Sequence, residues 1–168
     1  MNTNHFRIYI IRPALEAVAL HSQWAENLLL GTALQESRLE FLHQLNGPAL
    51  GFYQMEPATH DDLWNNWIKY RPDMEDKARG FISATPAMSV PGVFEHPQPS
   101  QMIWNLRYAT VMCRLHYYRA SFNIPNADKP AELGAVWKRV YNTYKGAGTV
   151  DQFVQNYRRA HSWGVLGE

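Results

Sequence analysis

Apolar residues recur at helical spacing through the first third of the chain. Pro13 suits the first turn of a helix, so the pattern predicts a helix from about Pro13 to about His21. Ser22 is a suitable N-cap for a second helix over residues 23–40. The apolar stripe of this second helix consists of Leu28, Leu29, Ala33 and Leu34. An Asn-Gly-Pro turn at residues 46–48 follows it.

The rest of the chain alternates between short helices and breaks. Residues 51–54 are too few for more than a small strand or an extended loop. Residues 84–100 contain Pro86, Pro91, Pro97 and Pro99 and show no clear period, which predicts a long loop that either borders a cleft or is a surface insertion. Further helices are predicted over residues 57–70, 73–83, 101–122, 130–144 and 150–161.

These elements predict a mainly α fold with at most a minor β element, in a single compact domain over residues 1–168. The 46% hydrophobic content is sufficient for one core of that size. The 13% aromatic content suits a sugar-binding groove, but large rings also simply fill helical cores. The tryptophans considered for either role are Trp64, Trp67, Trp104, Trp137 and Trp163.

Charge and cysteine content exclude several classes of function. The net charge of +1 gives no strong attraction to nucleic acid or anionic lipid. Cys113 is the only cysteine, so neither an intramolecular disulfide nor a cysteine-based metal cluster is expected. The seven histidines form no His-x-x-x-His pair, so no metal site is expected, and His43 and His60 are predicted to lie at the surface.

The apolar patch at residues 8–11 does not have the features of a secretory signal. Arg7 and Arg12 flank it, and no small-residue cleavage site follows. No apolar run approaches the length of a membrane span, so no integral membrane segment is expected. If the target lies outside the cytoplasm, another route must deliver the protein.

Glu36 is the strongest candidate for acid–base chemistry. It lies three residues after Ala33, near the end of the second helix, so its carboxyl falls on the apolar stripe. Burial and the negative end of the helix dipole both disfavour the carboxylate, which raises the pKa and allows Glu36 to act as a general acid near neutral pH. Taken alone, a glutamate near a helix end is more often solvated.

The run from Glu36 to Thr59, ESRLEFLHQLNGPALGFYQMEPAT, carries a more specific pattern. Glu36-Ser37 is followed by Gly51-x-x-Gln54 and then by Pro57. In order and spacing this run resembles the catalytic core of soluble lytic transglycosylases and goose-type lysozymes, which belong to the lysozyme-like superfamily. The resemblance implies that Glu36 is the catalytic acid and that Ser37, Gly51 and Gln54 support or bind substrate.

Two later segments resemble the same family more loosely. Residues 105–115 look like the helix that packs beneath the cleft. The segment at residues 140–142 resembles one in which the tyrosine hydroxyl bonds the catalytic carboxyl. The resemblance implies that role for Tyr141, although an ordinary half-buried tyrosine would look the same. It also implies that Asn142 lines the floor of the site, with Gly146 or Gly148 replacing the family glycine.

The chain departs from the family at the two residues after Gly51. Tyr53 stands where many relatives have Met or Leu, so an aromatic contact to the glycan is expected there. Phe52 replaces an aliphatic residue, and only packing is expected of it.

The reaction implied by the resemblance is cleavage of the β-1,4 bond between N-acetylmuramic acid and N-acetylglucosamine in peptidoglycan. In lytic transglycosylases one Glu acts as acid and then as base, and the substrate's 6-hydroxyl attacks to give a 1,6-anhydro sugar. A muramidase would instead need a second carboxylate, ~6.5–9.5 Å away to position water or ~5–5.5 Å away as a nucleophile. The candidates for it are Glu40, Glu56, Asp61 and Glu95.

A third possibility is a wall-binding or structural protein that keeps the fold without the chemistry. A free-standing domain of this kind without a signal sequence resembles bacteriophage proteins that travel in a virion or escape through a holin, made in the cytoplasm and acting on the cell wall. The expected partner is the peptidoglycan glycan strand. No cofactor and no nucleic acid are expected, and the chain is expected to be a monomer.

Overall fold

The structure, a computed structural model, describes residues 1–82, 96–144 and 146–164, with side chains up to residue 160. It is mainly helical, which confirms the predicted fold class, and none of the described helices is long and apolar enough to cross a membrane. The helices are α1 Thr3–Phe6, α2 Arg12–Ala17, α3 Gln23–Ser37, α4 Pro57–Asn66, α5 Pro72–Arg79, α6 Gln101–Trp104, α7 Leu106–Arg119, α8 Pro130–Trp137 and α9 Val150–Gly164.

The N-terminal helix begins ten residues before Pro13, so its predicted start is wrong. The side chain of Asn2 caps α1 by accepting a hydrogen bond from the backbone N–H of His5. A π-helical turn over Arg7–Ile11 then joins α1 to α2. This wider turn accommodates Pro13, whose ring would clash with a carbonyl of the preceding turn in a regular α-helix. The helix ends at Ala17, well before the predicted His21.

Helix α3 passes through the middle of the hydrophobic core. Ser22 caps its N-terminus, as predicted, by accepting from the N–H of Ala25. Every residue from 25 to 34 is buried, so the helix is enclosed on all sides and the predicted single stripe understates its burial. Position 31 requires glycine because a Cβ there would lie 2.2 Å from the ring of Phe153 on α9.

The predicted end of this helix at residue 40 is wrong. Helix α3 stops at Ser37 because Arg38 and Leu39 adopt left-handed backbone angles, with φ of 55° and 57°. The chain therefore turns away directly after Glu36 and Ser37. Both side chains stand at the point where the helix meets the loop that follows.

Several later helices are shorter than their patterns predict. Trp67, with φ of −141°, separates α4 from a 3₁₀ turn over Ile68–Tyr70. Asn105 ends α6, and its side chain caps α7 by accepting from the N–H of Tyr108. Helix α8 continues as a π-helical turn over Lys138–Asn142.

Residues 51–54 form a turn rather than a strand. Isolated antiparallel bridges join Leu50 to His43 and to Met55, on either side of the turn. Most of the predicted loop at 84–100 lies outside the described residues, which resume at His96. The fold thus places a tight, bridged turn against the C-terminal end of the most buried helix.

A buried ion network ties the N-terminal helix to α3. Glu26 is fully buried and accepts hydrogen bonds from Arg7 at 3.1 Å, from Arg12 at 2.9 and 3.0 Å, and bonds to His21 at 3.0 Å. Burial favours the protonated acid, but the hydrogen bonds from Arg12, His21 and Arg7 outweigh it and lower the pKa of Glu26 to about 2.

Glu26→Gln is expected to lower the free energy of unfolding at pH 7 by about 2–3 kcal/mol, because a neutral amide replaces the buried anion that pairs with Arg7 and Arg12. Since the folded-state pKa lies below the ordinary value, the carboxylate stabilises the fold above about pH 4.5, and this contribution is lost as the pH falls towards 2. The variant should therefore lose less stability on acidification. Urea unfolding at pH 7 and pH 3 measures both effects, with Glu16→Gln, an exposed glutamate of α2, as the control. Equal losses in the two variants would contradict the network's role.

Candidate active site

A cleft of about 510 Å³ opens where the C-terminal end of α3 meets the loop before α4 and the π-helical turn after α8. Its lining combines few ionisable groups with many amides and hydroxyls, a surface suited to an uncharged polar ligand. The lining residues are Glu36, Gln44, Ala49, Gln54, Met55, Glu56, Thr59, His116, Val140, Tyr141, Asn142, Thr143 and Gly146.

Glu36 lies in this cleft as a half-buried carboxyl in the last turn of α3. Its Oε1 accepts a hydrogen bond of 2.7 Å from the indole Nε1–H of Trp137. Burial raises the pKa of Glu36 to about 7, while the hydrogen bond from Trp137 opposes the rise. A substantial fraction of Glu36 therefore keeps its proton at neutral pH, the state that a general acid requires.

Trp137 makes a contact to Glu36 that the sequence does not predict. It lies 101 residues from Glu36 in the sequence, at the end of α8, and it is fully buried against Phe153. A buried indole N–H needs an acceptor, but nothing in the local pattern indicates which acceptor it finds. Trp137 thus positions the carboxyl that we expected Tyr141 to hold.

Trp137→Phe is expected to raise the pKa of Glu36 further above about 7, because it keeps an aromatic ring but removes the hydrogen bond that lowers this pKa. Carboxyl-carbon NMR across pH 4–10 measures the change, with Trp104→Phe as control because Trp104 is exposed on α6. A Glu36 midpoint that is unchanged or lower in Trp137→Phe would show that the indole does not act on this carboxyl.

Ser37 has a structural position and does not line the cleft. Its hydroxyl is buried, donates to the carbonyl of Phe52 at 2.7 Å and accepts from the N–H of Leu39 at 3.2 Å. Ser37 therefore joins the end of α3 to the turn at 51–54. Of the two roles considered for it, its position favours support of the site through the backbone of this turn.

Gly51 and Gln54 shape this turn. Gly51 has φ of 70°, and a Cβ there would lie 2.3 Å from the carbonyl oxygen of Met102. Gln54 also has a positive φ, of 47°, and its Nε2 donates to the carbonyl of Gly51 at 2.7 Å. Only Gln54 of the two reaches the cleft lining, so it is the one placed to contact a ligand.

Tyr53 does not offer an aromatic face to a ligand, which corrects the expectation for it. Its side chain is 1% exposed and its hydroxyl is hydrogen-bonded to that of Thr110 on α7 at 3.0 Å. A tyrosine here has its ring in the core because the tight turn directs the side chain inward. Phe52 is likewise buried and packs edge-on against Phe6, as expected.

Tyr141 lines the cleft, but its predicted bond to Glu36 is replaced by another. The hydroxyl donates to the backbone carbonyl of Tyr53 at 2.9 Å, and its single proton cannot serve both acceptors. The ring stacks on Tyr117 and meets His116 edge-on. Tyr141 therefore fixes the 51–54 turn against the π-helical turn and forms a wall beside Glu36.

Asn142 lies in the lining, as expected. Lys138 donates to its Oδ1 at 2.7 Å and to the carbonyl of Gly146 at 2.8 Å, which orients the amide group and closes the turn after α8. Gly146 also lines the cleft, and a Cβ there would lie 2.4 Å from Asn142. Gly148 instead packs against the ring of Trp137. Neither position has room for a side chain, because Asn142 is close to Gly146 and Trp137 is close to Gly148.

The four candidate second carboxylates are separated by the structure. Glu56, an exposed residue just before α4, shares the cleft lining with Glu36. Glu40 lines a different cavity beside the N-terminus, and Asp61 lies beside His60. Glu95 is outside the described residues. Among the described lining residues, Glu56 is thus the only other carboxylate.

Three histidines were candidates for the site or its surroundings or lie in the cleft lining. His116 lines the cleft, and burial lowers its pKa to about 4, so it is neutral near pH 7. His60 is fully buried, and its predicted surface position is wrong because Tyr108 and Asp61 satisfy its ring nitrogens. His43 is exposed, as predicted.

No family model, curated protein or solved structure matches this chain.

Proposed function

We propose that this protein cleaves the glycan strands of peptidoglycan as a lytic transglycosylase, with Glu36 as its catalytic acid. The observation that carries the proposal is a half-buried carboxyl with a pKa of about 7, oriented by an indole N–H at 2.7 Å and facing a polar cleft. The resemblance of residues 36–59 to the family pattern supports it independently of this geometry.

In the proposed reaction, protonated Glu36 donates its proton to the glycosidic oxygen as the bond to the muramic acid C1 breaks. The substrate's N-acetyl oxygen stabilises the positive charge at C1. The Glu36 carboxylate then removes the proton from the 6-hydroxyl of the same sugar, whose oxygen bonds to C1. Glu36 is protonated again at the end, and no water is consumed.

The cleft residues have distinct tasks in this scheme. Trp137 holds Oε1 of Glu36 in place without neutralising it, because an indole N–H is not an acid at this pH. Gln54 and Asn142 present amide groups to the sugar's hydroxyl and N-acetyl substituents. Neutral His116 adds no positive charge that would favour the Glu36 carboxylate.

A muramidase is the second candidate, and Glu56 is the observation that favours it. As the other carboxylate in the described lining, Glu56 is the group that would position or replace water. Its side chain is exposed, and the transglycosylase scheme has no step for it.

Glu56→Gln is accordingly expected to leave the initial rate of glycan release within about 3-fold of the wild type, because the substrate supplies its own nucleophile. Release of dye from labelled peptidoglycan sacculi measures the rate. A fall of about 100-fold or more in this variant would instead assign Glu56 a catalytic role and favour the muramidase.

The proposal as a whole is tested by the wild-type protein on the same labelled sacculi, which it should solubilise. A sample that binds sacculi in a pull-down assay but releases no dye would support a wall-binding protein without chemistry. We further propose that the protein reaches the wall by a route such as a virion or a holin, and the sacculus assay does not depend on that route.

A further inference from the structure

A second cluster of chemically capable side chains lies outside the cleft lining. His60 and Asp61 on α4 meet His96, just before α6, and one ligand atom from each lies within 4.8 Å of the others. His96 lies 35 residues after Asp61, so no local spacing rule identifies the cluster. We propose that they form a binding site for a divalent transition-metal ion, with zinc as the best match.

The separations within the cluster suit zinc. Asp61 Oδ1 lies 2.9 Å from His60 Nδ1 and 3.7 Å from His96 Nδ1. Two ligands of a tetrahedral zinc ion are about 3.3 Å apart when each bond is about 2.0–2.1 Å long. The observed values lie on either side of that figure, so small side-chain rotations bring the ligands into position. Two imidazoles and one carboxylate also form a ligand set common for zinc.

The surroundings of His60 are those of a metal-binding imidazole. Its Nε2 lies 2.6 Å from the hydroxyl of Tyr108, which also accepts the indole N–H of Trp64 at 2.9 Å. With a metal on Nδ1, the Nε2–H donates to the Tyr108 oxygen, and such a bond fixes the tautomer and the ring plane.

His96 presents Nδ1 to the cluster, since this is the nitrogen that lies 3.7 Å from Asp61 Oδ1. The same nitrogen lies 3.0 Å from the carbonyl oxygen of Pro97, and a metal on Nδ1 would replace that hydrogen bond. The rings of His60 and His96 lie 5.7 Å apart, edge to face. Both His96 and Asp61 are partly exposed, which gives an ion a path into the site and leaves room for water as the fourth ligand.

The metal would join α4 to the segment that leads into α6. Helix α6 carries Met102, whose carbonyl packs against Gly51 in the cleft turn. Binding therefore stabilises the side of the fold that supports this turn, and it does so whether or not the cleft cleaves glycan.

The test is zinc binding by the full chain after chelator treatment, measured by equilibrium dialysis with elemental analysis. The wild type should bind one zinc ion, and zinc should raise Tm in a manner reversed by EDTA. His96→Ala and Asp61→Asn should each weaken binding by at least about 10-fold, because each removes one of three protein ligands. Co²⁺ should give the visible absorption of a tetrahedral site in the wild type and not in these two variants.

His43→Ala is the matched control, since it removes an exposed histidine outside the cluster and should bind zinc like the wild type. His60 is not substituted because it is also a buried hydrogen-bonded core residue. The proposal is overturned if the wild type binds no zinc, or if both His96→Ala and Asp61→Asn bind it with wild-type affinity. If the wild type binds no zinc, the cluster is a hydrogen-bonded network without a metal.

Discussion

Glu36→Gln should reduce the release of dye from labelled sacculi by at least about 100-fold, because it removes the only proton donor that the proposed reaction uses. The fold should be retained. A glutamine oxygen at this position still accepts the 2.7 Å hydrogen bond from Trp137, and the amide is close to the carboxyl in size.

The same variant should be more stable than the wild type at pH 8. In the folded state the pKa of Glu36 is raised to about 7. Below about pH 4.5 the carboxyl is protonated in both the folded and the unfolded protein, so the fold keeps its full stability. As the pH rises through 7 the buried carboxyl ionises, and that part of the stability is lost. Glutamine does not ionise, so this loss is absent. Inactivity together with higher stability at pH 8 separates a catalytic acid from a residue needed for folding.

Glu40→Gln is the control for this comparison. Glu40 is exposed, lies four residues further along the chain and lines a different cavity, so its substitution should leave both the rate and the pH dependence of unfolding unchanged. If Glu36→Gln released dye at the wild-type rate, Glu36 would not be the catalytic acid. A variant that loses activity only because it unfolds would be recognised by circular dichroism.

Gly51→Ala should lower the free energy of unfolding by about 4 kcal/mol or more, the largest stability effect expected in the motif region. Two costs combine. A side chain at φ of 70° is strained, and the new Cβ would lie 2.3 Å from the carbonyl oxygen of Met102, a backbone atom that cannot move without shifting α6. The displaced turn also carries Gln54, so glycan release should fall as well.

Urea unfolding followed by tryptophan fluorescence measures the stability of this variant. Gly80→Ala is the matched control, because Gly80 has φ of −58° and the nearest atom to an added Cβ is 3.3 Å away. It should change the free energy of unfolding by no more than about 1 kcal/mol. Similar unfolding midpoints for the two variants would mean that the turn does not need glycine at position 51.

Periodicity and capping residues predicted the features of the fold that local chemistry determines. Ser22 caps α3 and Pro57 begins α4, because a hydroxyl acceptor and a residue without an N–H suit those positions in most contexts. The placement of Glu36 on a buried part of α3 was also predictable from its spacing to Ala33. These are properties of a few neighbouring residues, which a single sequence displays directly.

Boundaries and contacts that depend on distant parts of the chain were not predictable in this way. Nothing around Arg38 specifies a left-handed backbone, which follows from the packing of the loop against α3. The partner of Glu36 lies on α8 and that of His60 on α7, so the sequence pattern indicated Glu36 as a candidate but not the groups that contact it. The resemblance implied that Tyr141 lies close to Glu36, and both line the cleft, but the Tyr141 hydroxyl donates to the carbonyl of Tyr53 instead.

The most direct test of the central claim is mass spectrometry of the products that the wild-type protein releases from purified sacculi in ¹⁸O-labelled water. A transglycosylase that uses Glu36 as acid and base should release muropeptides with 1,6-anhydro ends, lighter by one water than reducing ends and free of ¹⁸O. Reducing ends that carry ¹⁸O would contradict the substrate-assisted route and identify a hydrolase. The absence of any soluble muropeptide would contradict the claim that this protein cleaves the glycan.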